Sequence, residues 1–143
     1  MTMQRRDFLL AAGAAAGAAV LPGCATTGGG AAGKVVVVGG GYAGATCAKY
    51  LRMWSNNTVD VTLIEPREAF VSCPMSNLVI GGSKTIADVT VPYDNLSRRW
   101  GVNVVRDTAT GVDTDKRVVT TGGGRTFSYD RLVLAPGIEF MWD

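Results

Sequence analysis

Three features of the sequence have the residue types and spacing to do chemistry. Gly39-Gly40-Gly41-Tyr42-Ala43-Gly44 satisfies the pattern G-x-G-x-x-G. In such a loop Gly39 permits the tight turn, Gly41 lets the backbone approach a pyrophosphate, and Gly44 lets the following helix pack closely on the preceding strand. Glu65 lies about 20 residues further on, where an acid can accept hydrogen bonds from both ribose hydroxyls of a dinucleotide. A carboxylate there repels a 2′-phosphate, which disfavours NADP. Cys73 follows in the next loop, within Phe70-Val71-Ser72-Cys73-Pro74-Met75-Ser76-Asn77. On chemistry alone, a free cysteine serves as readily as a small buried apolar residue as it does as a reactive thiol.

The elements needed to position these groups are legible around them. Lys34-Val35-Val36-Val37-Val38 is a continuous β-branched run, the pattern of a parallel strand buried on both faces. After the glycines, Ala43, Cys47, Leu51 and Trp54 recur at helical spacing, with Lys49 and Arg52 opposite them. Cys47 sits on the inner face of this helix, where alanine would serve equally well. Val59 to Ile64 reads as a second strand that ends at Glu65. Strand, loop, helix, strand and terminal acid in this order turn a weak motif into a specific one. The helix N-terminus then faces the phosphates with free N–H groups and the positive end of its dipole.

Composition removes several other chemistries. The 143 residues include no histidine, which excludes a Ser-His-Asp triad, a histidine-ligated metal and a CxxCH haem attachment. Cys24, Cys47 and Cys73 are too widely spaced for a zinc knuckle and too few for a disulfide scaffold. The formal charge of +2 comes from 14 basic and 12 acidic residues, which provides no field for nucleic acid. With 47% hydrophobic and 18% charged residues, the chain belongs among folded globular ones.

Beyond Glu65, an apolar segment surrounds Leu78-Val79-Ile80, and a helix is expected from Tyr93 to Trp100, closed by Gly101. Val102 to Arg106 reads as a short strand. Ala109 to Val112, Arg117 to Thr121, Thr126 to Tyr129 and Leu132 to Leu134 read as the strands of a β-meander, with turns at Asp113-Thr114-Asp115 and Gly122-Gly123-Gly124. A meander in place of a crossover helix, ending in Leu132-Val133-Leu134-Ala135-Pro136-Gly137, resembles the FAD domain of glutathione-reductase-type flavoproteins. The expected fold class is therefore α/β: a Rossmann-like FAD-binding domain with a three-layer build and a parallel sheet with a β-meander, here incomplete. The resemblance implies that the backbone near Val105 touches the adenine and that Ala135, Pro136 and Gly137 close over the cofactor. Such flavoproteins finish their flavin site with a distant Gly-Asp segment, and residues 34–143 are expected to be the N-terminal part of that FAD/NAD(P)-binding domain.

From Lys34 to Asp143 the sequence is more specifically similar to the flavoprotein subunit of flavocytochrome c sulfide dehydrogenase. The matching pieces are Lys34 to Gly41, Val61 to Pro66, the Cys73-x-x-Ser76-Asn77-x-x-Ile80-Gly81-Gly82 segment, Ala109 to Asp113, Tyr129-Asp130-Arg131 and Ala135 to Glu139. The cysteine segment discriminates, because related reductases share the others. The resemblance implies FAD held covalently through Cys73, sulfide as substrate, and a c-type cytochrome subunit as electron acceptor. It also implies a redox-active disulfide formed by cysteines beyond residue 143, so no catalytic residue is assigned within the chain. Forming the thioether needs a thiolate, and Arg67 is the nearest cation in sequence. A sulfide:quinone or NADH:quinone oxidoreductase, or a non-catalytic FAD-binding fragment, stays open as an alternative.

Residues 1–33 differ from all that follows. Arg5-Arg6-Asp7-Phe8-Leu9 resembles the twin-arginine motif, and an Ala/Gly-rich stretch runs on to Leu21. That stretch is shorter than the roughly 20 apolar residues of a membrane span, so no transmembrane segment is expected. Residues 1–33 are thus read as a twin-arginine signal peptide, which places the mature protein in the periplasm. Plain cleavage near Ala31-Ala32 is expected; Leu21-Pro22-Gly23-Cys24 looks like a lipobox with an atypical proline and offers a lipid anchor at Cys24 as the alternative. Without the leader, 12 basic residues face 11 acidic ones.

Overall fold

The structure is a computed structural model that describes residues 32–138. Of the leader, residues 1–33, residues 1–31 lie outside the described residues, and β1 already begins at Gly33. The elements in order are β1 (Gly33–Val38), α1 (Tyr42–Trp54), β2 (Val59–Ile64) and β3 (Ala69–Val71). A 3-10 turn, Cys73–Met75, leads into the short α2 (Ser76–Ile80), and a second, Ala87–Val89, leads into β4 (Thr90–Pro92). Then come α3 (Asp94–Trp100), β5 (Asn103–Val105), β6 (Ala109–Asp113), β7 (Val118–Thr121), β8 (Thr126–Ser128) and β9 (Arg131–Leu134).

Three layers result. The middle layer is a four-stranded sheet in the order β5-β2-β1-β9, with every neighbouring pair parallel. Alternation along β1 divides the core. Val35 and Val37 point to a layer made by α1 and α3, joining Ala48, Leu63, Tyr93 and Val102. Val36 points the other way, with Ile64, Val105 and Val119, under the antiparallel meander β6-β7-β8. Successive side chains of a strand face opposite sides, so one unbroken valine run serves both cores.

Three expectations are corrected here. Leu132 to Leu134 is no part of the meander: β9 returns to the central sheet, with Val36 opposite Leu132 and Val38 opposite Leu134. Asp130 directs it there, since its N–H donates to the Lys34 carbonyl at 2.8 Å and its carboxylate accepts from the Lys34 N–H at 2.7 Å. The segment after Glu65 contains an antiparallel pair, β3 with β4, whose three-residue strands carry no readable alternation. The helix buries Gly44 and Ala48, while Ala43 and Trp54 are exposed, Trp54 at 75%. Small residues win that face because α1 crosses the loop closely: a Cβ on Gly44 would overlap the Gly39 carbonyl. Arg52, on the opposite side of α1, ties the helix to its surroundings, donating to the carbonyls of Trp100 at 2.9 Å and Val59 at 2.6 Å.

Leu63 is fully buried between β1 and the helices. Leu63→Ala is expected to destabilise the chain by about 2–5 kcal/mol, the range for truncating a core leucine. Val112→Ala, on the exposed side of the meander, should stay within about 0.5 kcal/mol of the parent. Urea unfolding of both variants beside the parent measures the contrast.

Candidate functional site

Because all four strands of the central sheet run parallel, their carboxyl ends share one edge. Gly39 follows β1, Glu65 follows β2, Val105 ends β5 and Ala135 follows β9. Three backbone bonds stitch that edge together: the Gly39 N–H to the Ile64 carbonyl at 2.9 Å, the Glu65 N–H to the Val105 carbonyl at 3.0 Å, and the Ala135 N–H to the Val38 carbonyl at 2.8 Å. The chain leaves β1 toward β2 on one side and returns in β9 on the other. That reversal is where open α/β sheets bind ligands.

The loop adopts the geometry its glycines allow. Gly39 has φ +94°, and a Cβ there would overlap the Ala135 carbonyl. Gly41 differs, because a Cβ built on it meets no atom within 4 Å. The backbone at Gly41 therefore borders open space, directly before the first turn of α1. No side chain caps that turn and no acidic residue lies in it. Uncapped N–H groups and an uncompensated positive dipole end fit an anionic diphosphate.

Glu65 is buried, at 8% exposure. One carboxylate oxygen accepts the Gly40 N–H at 2.7 Å and the other accepts the Arg67 N–H at 3.0 Å. Each oxygen has a second lone pair free to accept from a ribose hydroxyl. Tyr93, which the sequence presented only as a helix start, is buried beside it, and its hydroxyl donates to the Gly40 carbonyl at 2.8 Å. A contact spanning 53 positions leaves no periodic signal in a sequence.

Cys73 is exposed and opens the 3-10 turn before α2. The preceding Ser72 is buried, its N–H donates to the Val89 carbonyl at 2.8 Å, and its hydroxyl is hydrogen-bonded to that of Tyr42 in the first turn of α1. The Tyr42 ring meets Phe70 edge-on at 4.6 Å. These contacts hold the cysteine segment against the helix that follows the glycine loop. Arg67, the nearest cation in sequence, contributes its backbone N–H to Glu65. Cys47 is half-buried and free. Pro136 and Gly137 are exposed beyond β9, Gly137 with φ +83°. A cleft of about 600 Å³ lies between α1, α3 and the β3–β4 pair, lined in part by Tyr42, Lys49, Phe70, Tyr93 and Trp100. Of the candidate cofactor-binding residues, Gly41 alone lines it.

Residues 33–140 match the pyridine nucleotide-disulphide oxidoreductase family. The chain belongs to that family. FAD is the cofactor the family implies, and the loop, the acid and the open helix end fit one. The mitochondrial sulfide:quinone oxidoreductase of Dictyostelium discoideum is 32% identical over 103 residues, 72% of this chain and 23% of that protein. The flavoprotein chain of sulfide dehydrogenase (flavocytochrome c) from Chlorobaculum thiosulfatiphilum is 59% identical over 39 residues, 27% of this chain and 79% of that sequence. The X-ray structure of the Aquifex aeolicus sulfide:quinone oxidoreductase superposes with a TM-score of 0.71 at 31% identity, covering 76% of this chain and 25% of that one. The chain thus spans about a quarter of the length of the two sulfide:quinone relatives. Among the described residues, no helix is long and apolar enough to cross a membrane.

Burial, and then the neighbouring Glu65 carboxylate, push the Tyr93 phenol up from 10.0 to about 12, against a smaller opposing pull from Arg67. The folded state therefore holds this proton more tightly than the unfolded one. Its contribution to stability is complete below pH 10 and is lost as pH rises towards 12. An alkaline titration followed by phenolate absorbance should show one tyrosine ionising at about 12, and Tyr93→Phe should remove that late step.

Proposed function

We propose that the chain holds FAD in a flavoprotein that oxidises sulfide and passes the electrons to a c-type cytochrome subunit. The observation that carries the cofactor is the meeting of Gly39 to Gly41, Glu65, Val105 and Ala135 to Gly137 on one sheet edge. Substrate and acceptor rest on similarity. The Dictyostelium, Aquifex and Chlorobaculum proteins are all named for sulfide. The cytochrome acceptor rests on the Chlorobaculum flavoprotein chain, the most nearly identical of the three, together with the setting of Cys73. The longer matches are to quinone reductases, and they favour quinone as the second reading of the acceptor.

In this reading the N–H groups at the start of α1 bind the FAD diphosphate, and Glu65 orients the adenosine ribose. Val105 offers backbone to the adenine, and Ala135-Pro136-Gly137 covers the side of the cofactor next to β9. FAD supplies a centre that accepts an electron pair and releases electrons singly, as delivery to a haem requires. The Cys73 sulfur anchors the cofactor covalently, and Ser72 and Tyr42 hold that segment beside α1.

The covalent anchor decides between the two acceptors. The holoprotein, purified with its flavin from the native host, denatured in acid and digested, is expected to show flavin fluorescence travelling with the Cys73 peptide. Cys73→Ser should bind FAD and release it on denaturation. Complete release from the parent protein would sink the covalent assignment and move the quinone reading ahead.

The twin-arginine leader, with a periplasmic location and Cys24 available for lipidation, belongs to the same proposal. Export of a protein already folded around FAD matches a route that carries folded cargo. Replacing Arg5 and Arg6 by lysine should leave precursor in the cytoplasm and deplete the periplasmic form, as read by fractionation and immunoblot. Unchanged export from a strain lacking the twin-arginine translocase would count against it.

A further inference from the structure

We infer that Tyr93 is a positioning residue of the nucleotide loop, holding the Gly40–Gly41 peptide so that the Gly41 N–H faces a diphosphate. The inference rests on the FAD-binding reading above and adds a residue to it.

Two consecutive peptide groups meet at Gly40. The first carries the Gly40 N–H, which Glu65 accepts at 2.7 Å. The second carries the Gly40 carbonyl, which the Tyr93 hydroxyl binds at 2.8 Å. Both bonds are buried. In a planar trans peptide the carbonyl and the following N–H point in opposite directions. With the Gly40 carbonyl turned inward onto Tyr93, the Gly41 N–H points away from Tyr93, and open space borders the same residue, since a Cβ built on Gly41 would meet nothing within 4 Å.

The restraint matters because this peptide lies between two glycines. Glycine reaches backbone conformations closed to other residues, so a Gly–Gly peptide is an easy one to flip. A flip here would turn a carbonyl oxygen, the negative end of the peptide dipole, towards an anionic ligand. Tyr93 opposes the flip from one side and Glu65 fixes the preceding peptide from the other. The packing leaves little slack: a Cβ on Gly40 would lie 2.5 Å from the Tyr93 hydroxyl oxygen and 2.9 Å from the Glu65 side chain. Tyr93 acts on the loop through the backbone of Gly40.

The test uses the full chain carrying Cys73→Ser, so that FAD binds reversibly, and compares it with the same chain carrying Tyr93→Phe as well, which keeps the buried ring and removes the donor. FAD binding is followed by flavin fluorescence, adenosine binding by calorimetry, and the bound FAD diphosphate by phosphorus-31 resonance. Losing the hydrogen bond should weaken FAD about 10-fold and shift the phosphorus resonances. Adenosine, which lacks phosphate, should bind the variant within about 2-fold of the parent, because its contacts are those of Glu65. Parental FAD affinity with parental phosphorus shifts in Tyr93→Phe overturns the inference. So does equal weakening of FAD and adenosine, which marks a general loosening of the fold. If Tyr93→Phe does not fold, the Gly41 amide resonance of the parent decides: it should move downfield when FAD is added, and an unmoved resonance overturns the inference. A parent chain that binds no FAD at all removes the reading beneath it as well.

Discussion

Burying a carboxylate in a protein is unfavourable unless hydrogen bonds replace the water it loses. Glu65 is nearly buried at the end of β2, and both of its oxygens are satisfied by backbone N–H groups rather than by a cationic side chain. One of those groups belongs to Gly40, in a different part of the chain. Compensating the acid therefore forces the glycine loop to fold back onto the end of β2. The loop in turn leaves no room for a side chain at Gly39, where the Ala135 carbonyl approaches, so β9 is drawn into the same constraint. A single desolvated charge thus couples the carboxyl ends of three strands, and the shape of the edge follows from it.

This coupling explains which parts of the molecule were legible beforehand. The unit from β1 to Glu65 is local: a β-branched run, a glycine turn, a helix and a second strand, each with its own signature within a few residues. The acid's distance from the loop follows from the length of that unit. Partners chosen at long range were hidden. Leu132 to Leu134 has the same short apolar pattern whether it completes a meander or a parallel sheet, and the choice was made by Asp130 bonding to Lys34. The β3–β4 pair is too short for a period to emerge. The buried face of α1 departs from the helical spacing of Ala43, Cys47, Leu51 and Trp54, because close approach to the loop selects glycine and alanine and leaves Trp54 to pack on Tyr50 at the surface.

Tyr93 belongs to the hidden class for a further reason. Its ring contributes to the helix-side core, so any reading of the sequence accounts for it as packing. Its hydroxyl alone reaches the loop, and a buried tyrosine hydroxyl must find a partner. The same side chain therefore serves the core through its ring and the proposed binding loop through its oxygen. Its raised pKa follows from that placement, since an ionised phenolate would be poorly solvated and would face the Glu65 carboxylate.

The cysteine segment is held on different terms from the edge. It lies after β3, outside the parallel sheet, and strand pairing with that sheet does not fix it. What fixes it is Tyr42, through Phe70 and the Ser72 hydroxyl. Tyr42 is also the first residue of α1, whose N–H groups face the proposed diphosphate site. One residue therefore sets the helix end beside the phosphates and the segment that carries the thiol. In the proposed covalent attachment, a cofactor gripped at its diphosphate would be bound to the same unit as the Cys73 segment before any bond forms. Proximity of that kind converts a slow bimolecular encounter into an intramolecular one.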